Sequence, residues 1–147
     1  MYTIKHYIIQ FIAMVIIGML FNPMNILAYR VGDLYLSLNL FYGGLLMASK
    51  MMWAHEIVHY LSMGHFNINV FLIGIFLSLF SAFFLLRQQF LVNDTQWIRR
   101  MITHHSTALT TSHNILKKTD DMRIKKLAKD IINTQENEIK FMKRFLN

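Results

Sequence analysis

Residues 99–112 read RRMITHHSTALTTS, and the conformation of this stretch decides what kind of chain this is. As a helix it sets Met101, His104 and His105 at i, i+3 and i+4, so a thioether and at least one imidazole converge on one face. A soft sulfur donor beside imidazoles suits a copper ion, Cu(I) especially, better than magnesium or calcium. The same spacing is also met by one hydrogen-bonded core histidine next to a solvated one.

The flanking sequence favours the helix. Asn93 or Asp94 is a candidate N-cap for a helix through Leu116, KKTDD (117–121) is a polar break, and a second helix is expected from about Met122 to Leu146. In that second helix Ile124, Leu127, Ala128, Ile131, Gln135, Glu138 and Met142 recur at three- and four-residue steps, which predicts one inward stripe. In an antiparallel hairpin the late part of the second helix faces the early part of the first. Glu138 and Met142 are therefore expected near Met101 and His104/His105, where a metal or a histidine would partner the carboxylate. His113 follows His105 by eight positions, about 80° round an ideal helix, and reads as a surface or second-site histidine.

The pattern RRMITHHSTALTTS, followed by LAKDIINTQENEIKFMKRFL (127–146), resembles the family known as domain of unknown function 305. Met101, His104, His105, Leu127, Ala128, Ile131, Gln135, Glu138, Ile139 and Met142 stand at positions of that family's pattern, over residues 94–147. ILAYRVGDLYLSL and FLLRQQFLVND resemble the connecting segments of its membrane branch, which has three spans before the domain. The resemblance implies a ferritin-like four-helix fold completed by pairing two hairpins, with copper or silver binding and a part in metal tolerance. Two departures stand out: Thr103 replaces a proline common before the paired histidines, and Thr111 stands where many soluble relatives carry a methionine.

Upstream the composition changes. Hydrophobic residues make up 54% of the 147, and long uncharged runs fill the first 86 positions. Three spans are expected, over about 7–27, 34–53 and 68–86, each near the roughly 20 residues that cross a bilayer. The first is too long for the apolar core of a signal peptide and is followed at once by further apolar runs, so it reads as an anchor with a break near Asn22-Pro23. Residues 1–87 carry four Lys/Arg against two acids, and the remainder eleven against six. This basic, mixed-sign tail has no interleaved aromatic platform and is not expected to bind nucleic acid. Its Lys/Arg bias favours the cytoplasm, whereas the resemblance implies a periplasmic or extracellular C-terminal domain, which is the placement expected. With no cysteine, disulfides, thiolate zinc sites and iron–sulfur clusters are excluded, and any metal rests on His, Met, carboxylate or backbone.

HEIVHY (55–60) spells H-E-x-x-H, the helical signature of many zinc metalloproteases, with Glu56 as general base. A catalytic zinc normally has a third protein ligand. His65 is the nearest candidate, at a spacing that matches no common extension of the motif. Met51, His55, His59 and Met63 also repeat at four-residue steps toward His65, and these five read as a candidate second metal site.

The expected architecture is thus all-α: three transmembrane helices (1–87) and a ferritin-like helical hairpin (88–147) that completes a four-helix bundle by homo-oligomerisation. The expected function is soft-metal binding, copper or silver, through Met101, His104, His105, Glu138 and Met142, for sequestration or handling and not for catalysis. A membrane zinc protease and a metal-free structural module are the alternatives.

Overall fold

The first apolar run forms helix α1, Ile4–Leu20, in the computed structural model, which describes residues 4–146. It ends before Pro23, which lacks the N–H needed to continue a helix. Asn22 then caps a short helix α2, Pro23–Ile26, its side chain accepting from Asn25 N at 3.0 Å. After a 3-10 turn at Val31–Asp33 come α3, Leu38–Met63, and α4, Ile68–Leu79, prolonged by π-helical turns over Phe80–Leu86. Helices α5, Asp94–Lys118, and α6, Met122–Lys143, follow. The described residues form no strand, so the all-α expectation stands.

Among the described residues two helices are long and apolar enough to cross a bilayer, Ile4–Ile26 and Ile68–Leu86. The span expected over 34–53 is not one of them. Its helix begins later, at Leu38, and runs on through Lys50, His55, Glu56 and His59 to Met63.

By contacts the chain divides into two units whose membership does not follow chain order. The first holds the residues up to Leu20 with Leu38–Leu91; the second holds Phe21–Ser37 with Val92–Asn147. Composition places a cut near residue 87, which leaves Phe21–Ser37 with the apolar part; by contacts that connector belongs with the tail.

In the first unit the usual pattern of a soluble core is inverted. Gly18, Gly44, Ala48, Ser49, Gly74, Ser78 and Ser81 are buried between helices, while Ile8, Ile12, Ile16, Leu72, Phe76 and Phe83 are exposed. Small residues let helix backbones approach closely, which is how helices associate where apolar side chains gain nothing from leaving the solvent. A Cβ at Gly44 would stand 2.6 Å from Val15 O of α1, and one at Gly74 would stand 2.9 Å from Trp53 N of α3. Gly43 has nothing within 4 Å. Adjacent Gly→Ala changes should therefore differ in sign. Gly43→Ala is expected to gain up to about 1 kcal/mol of helix propensity, and Gly44→Ala to lose about 1–3 kcal/mol by forcing α1 away. Thermal unfolding of the two detergent-purified variants checks this, and equal stabilities would refute the close approach.

The second unit is a hairpin with a third element laid on it. Asn93 caps α5 by accepting from Gln96 N at 3.0 Å, and Asp121 caps α6 by accepting from Arg123 N at 2.8 Å. The Arg123 guanidinium, 2.7 Å from Asp121 Oδ2, holds that carboxyl below its usual range and is itself raised by it. Ile98, Ile102, Leu109, Ile139 and Met142 form the core between the helices. The expected stripe is partly corrected: Ala128 and Met142 are buried, but Ile124 and Leu127 face outward and Ile139 takes the central place. Helix α5 runs to Lys118, past the expected end at Leu116, and α6 stops at Lys143, short of Leu146.

The connector is fastened along α5. Thr107 Oγ1 donates to Met24 O at 3.0 Å, Tyr29 N donates to Ser106 Oγ at 2.9 Å, and the Tyr29 ring stacks on His113 at 4.8 Å. Arg30 reaches across to Glu136 of α6 at 2.7 Å, and Tyr35 packs on the hairpin core.

Candidate soft-metal site

Helix α5 turns His105 toward α6, and the ring is held at both nitrogens. Nδ1 lies 2.8 Å from Met101 O, one turn back, and Nε2 lies 3.0 Å from Glu138 Oε2. A carbonyl only accepts, so Nδ1 carries the proton there. Nε2 then faces a carboxylate, an arrangement that either a second proton or a cation between the two groups makes favourable. A backbone carbonyl on one ring nitrogen is also what fixes the tautomer of metal-ligating histidines and leaves the other nitrogen for the ion. Gln135 Nε2 donates to the same Glu138 oxygen at 3.3 Å.

A recess of about 490 Å³ opens here, lined by Trp97, Met101, His105, Glu138, Phe141 and Met142 among others. Four of the five expected metal donors therefore line this recess. His104 does not: it is exposed and absent from the lining. Consecutive residues on a helix point about 100° apart, so with His105 facing α6, His104 faces away. Partial burial near this end lowers the Arg100 guanidinium below its ordinary value.

The two departures from the family pattern have separate fates. Thr103, in the place of the proline, is buried and donates to Asp33 O at 2.8 Å, fastening the connector. Thr111 is exposed and bonds back to its own helix, at Ala108 O and Thr107 O, away from the recess.

The HEIVHY segment presents a different arrangement. Glu56 is fully buried; its Oε1 accepts from the Tyr7 hydroxyl at 3.0 Å and its Oε2 from Asn67 N at 2.9 Å. The carboxylate thereby clasps α1, α3 and the start of α4. The His55 and His59 rings stack at 5.8 Å, and His59 Nδ1 lies 3.1 Å from His65 O. The expected second site is divided between two recesses. His55 and Met51 line one with Tyr7, whereas His59, Met63 and His65 line another of about 770 Å³ with Glu56. Among the described residues no three of His, Asp or Glu converge so as to hold an ion.

As a clasp, Glu56 should matter for stability. Glu56→Ala leaves the Tyr7 hydroxyl and the Asn67 N–H without their acceptor, at about 1–3 kcal/mol each, and should lower the unfolding temperature of the detergent-purified chain. An unchanged unfolding temperature would refute this role.

Sequence reading passed over Asp33, which is fully buried in the second unit against Lys143 and Ser106. Its isolated place in an apolar connector was the available signal.

Comparison with known proteins adds two matches. No solved structure matches the chain. The model of the domain of unknown function DUF305 matches residues 87–147. The uncharacterized protein L153 of Acanthamoeba polyphaga mimivirus is 37% identical over 127 residues, which is 86% of this chain and 82% of that protein. The chain thus belongs to the same family as that viral protein, and its C-terminal part, residues 87–147, matches the DUF305 domain.

Proposed function

We propose that this is a membrane-anchored protein that binds a soft metal ion, copper(I) or silver(I), in the hairpin recess, for sequestration or handling. The observation that carries this reading is His105: its Nδ1 is engaged by Met101 O, and its Nε2 is aimed at Glu138 beside two thioethers. Imidazole and thioether together favour copper or silver over hard cations. The role proposed for the recess is binding and not turnover. Zinc proteolysis at HEIVHY has no comparable support, since Tyr7 and Asn67 already occupy both oxygens of the would-be base.

The membrane part follows from the inverted packing of the first unit and from connectivity. Phe21–Ser37 and Val92–Asn147 are one folded unit, so a bilayer cannot pass between them. The chain that leaves at Ser37 and returns at Val92 then crosses an even number of times. If α4 spans the bilayer, α3 must span it as well, and with α1 there are three spans. Glu56 is tolerated in α3 because it is buried in protein and hydrogen-bonded. Within the second unit Arg30 joins Arg99 and Arg100, and by the positive-inside rule this Lys/Arg bias favours the cytoplasm for that unit. This stands against the exterior placement that the family resemblance implies.

The connector covers one side of the hairpin, and Trp97 of α5, Leu127 and Phe141 of α6 and Phe145 just beyond α6 remain 52–61% exposed. A second copy of the hairpin laid on these residues would complete a four-helix bundle around the recess. Titration of the detergent-purified chain with silver(I), and with copper(I) under reducing conditions, tests the assignment. Saturable tight binding of either is expected; no binding of either would overturn it.

A further inference from the structure

We infer that Asp33 is a positioning residue for the His105 recess, an inference that rests on the soft-metal reading above. Its side chain is 0% exposed, and each of its oxygens has a partner on the hairpin. Oδ1 lies 2.6 Å from Lys143 Nζ, Oδ2 accepts from Ser106 Oγ at 2.7 Å, and the main-chain carbonyl accepts from Thr103 Oγ1 at 2.8 Å. Ser106 and Thr103 belong to α5, Lys143 to α6, so one carboxylate ties the two helices together.

The ties fall at the level of the recess. Ser106 directly follows His105, Lys143 directly follows Met142, and Thr103 stands between Met101 and His105. On a helix, neighbours in sequence point to different sides, so Asp33 grips from one side the turns that present metal donors on another. A slide or rotation of α6 against α5 would separate Glu138 and Met142 from His105 and Met101, and would also break the Asp33 ties.

Stability alone gives little reason for such a group. A buried ion pair can often be replaced by apolar residues of similar volume without loss, and the best-attested use of such pairs is to set register. Here the register is the alignment of four candidate donors contributed by two helices.

The test uses the full chain in detergent with silver(I) as the probe, and compares Asp33→Leu/Lys143→Met with the native protein. Three quantities are read: the unfolding temperature, the silver(I) dissociation constant, and the imidazole nitrogen signals of His105 without metal. The double variant is expected to unfold near the native temperature. Its silver(I) binding should weaken by about 10- to 100-fold, the usual effect of losing a group that orients a ligand, and the His105 signals should move to those of a solvated histidine. A folded double variant with native silver(I) affinity and native His105 signals would overturn the inference. If the native chain binds no silver(I), the soft-metal reading falls, and the His105 signals alone decide: moved in the variant, Asp33 positions the ring; unmoved, it does not. Should the double variant fail to fold, Ser106→Ala, which removes one tie, decides by the same His105 signals.

Discussion

Replacing His105 with alanine should weaken silver(I) or copper(I) binding by more than about 100-fold, while His104→Ala leaves it within about threefold. The contrast follows from helix geometry. His105 points into the recess with Nε2 at 3.0 Å from Glu138, and its neighbour is exposed outside it. Loss of a directly ligating group should exceed the 10- to 100-fold typical of outer-shell changes, and 100-fold corresponds to about 2.7 kcal/mol of binding free energy. Met142→Leu keeps the volume and removes the sulfur, so it should weaken soft-ion binding and leave the unfolding temperature nearly native. Competition against a chelator of known affinity reads all three variants. Equal losses at His104 and His105 would show that both histidines ligate, and no loss at His105 would remove the site.

The second large effect is topological and nearly all-or-none. The chain has no cysteine, so single cysteines report cleanly on their surroundings. In sealed vesicles an impermeant thiol reagent should label Val31→Cys and Thr111→Cys from one side of the membrane and Ser62→Cys from the other. Val31 is 85% exposed in the connector, and Thr111 and Ser62 are exposed on α5 and α3. The first two sit in one folded unit; Ser62 stands at the far end of a helix that begins at Leu38. Labelling of Val31→Cys and Thr111→Cys from opposite sides would break the second unit as described, and labelling of all three from one side would deny that α3 crosses. The same vesicles, of known sidedness, distinguish the cytoplasmic hairpin implied by the Lys/Arg bias from the exterior one implied by family resemblance.

The hairpin was legible because its signals are local. A cap at Asn93 or Asp94, the polar break before Met122 and the three- and four-residue steps depend on residues within a turn or two of one another; Asn93 is the cap, the break separates α5 from α6, and the steps recur in part. So do the meeting of His105 with Glu138 and the placing of Met101 and Met142 in the lining of the same recess, since an antiparallel return leaves little freedom in which residues face each other. The choice between His104 and His105 was not legible, because both are compatible with a helix face and the rotation of that face is set by packing. For the same reason Ile124 and Leu127 were assigned inward when Ile139 holds that place.

HEIVHY shows the opposite case, in which a local pattern promises more than the fold delivers. The spacing stacks His55 and His59 as expected of i and i+4 positions. The fate of Glu56 was decided by Tyr7, forty-nine positions earlier, and by the main chain of Asn67.

By itself, then, the amino-acid sequence determined the two hairpin helices and the break between them, the absence of thiol chemistry and the donors available for a soft ion, because these depend on composition and on contacts a few residues apart. The tertiary structure alone decided that Phe21–Ser37 folds with the tail and that a lone connector aspartate binds both hairpin helices. Those contacts join residues 70 to 110 positions apart. They arise because burying a carboxylate demands partners wherever the chain can bring them, and no periodicity marks such partners in advance.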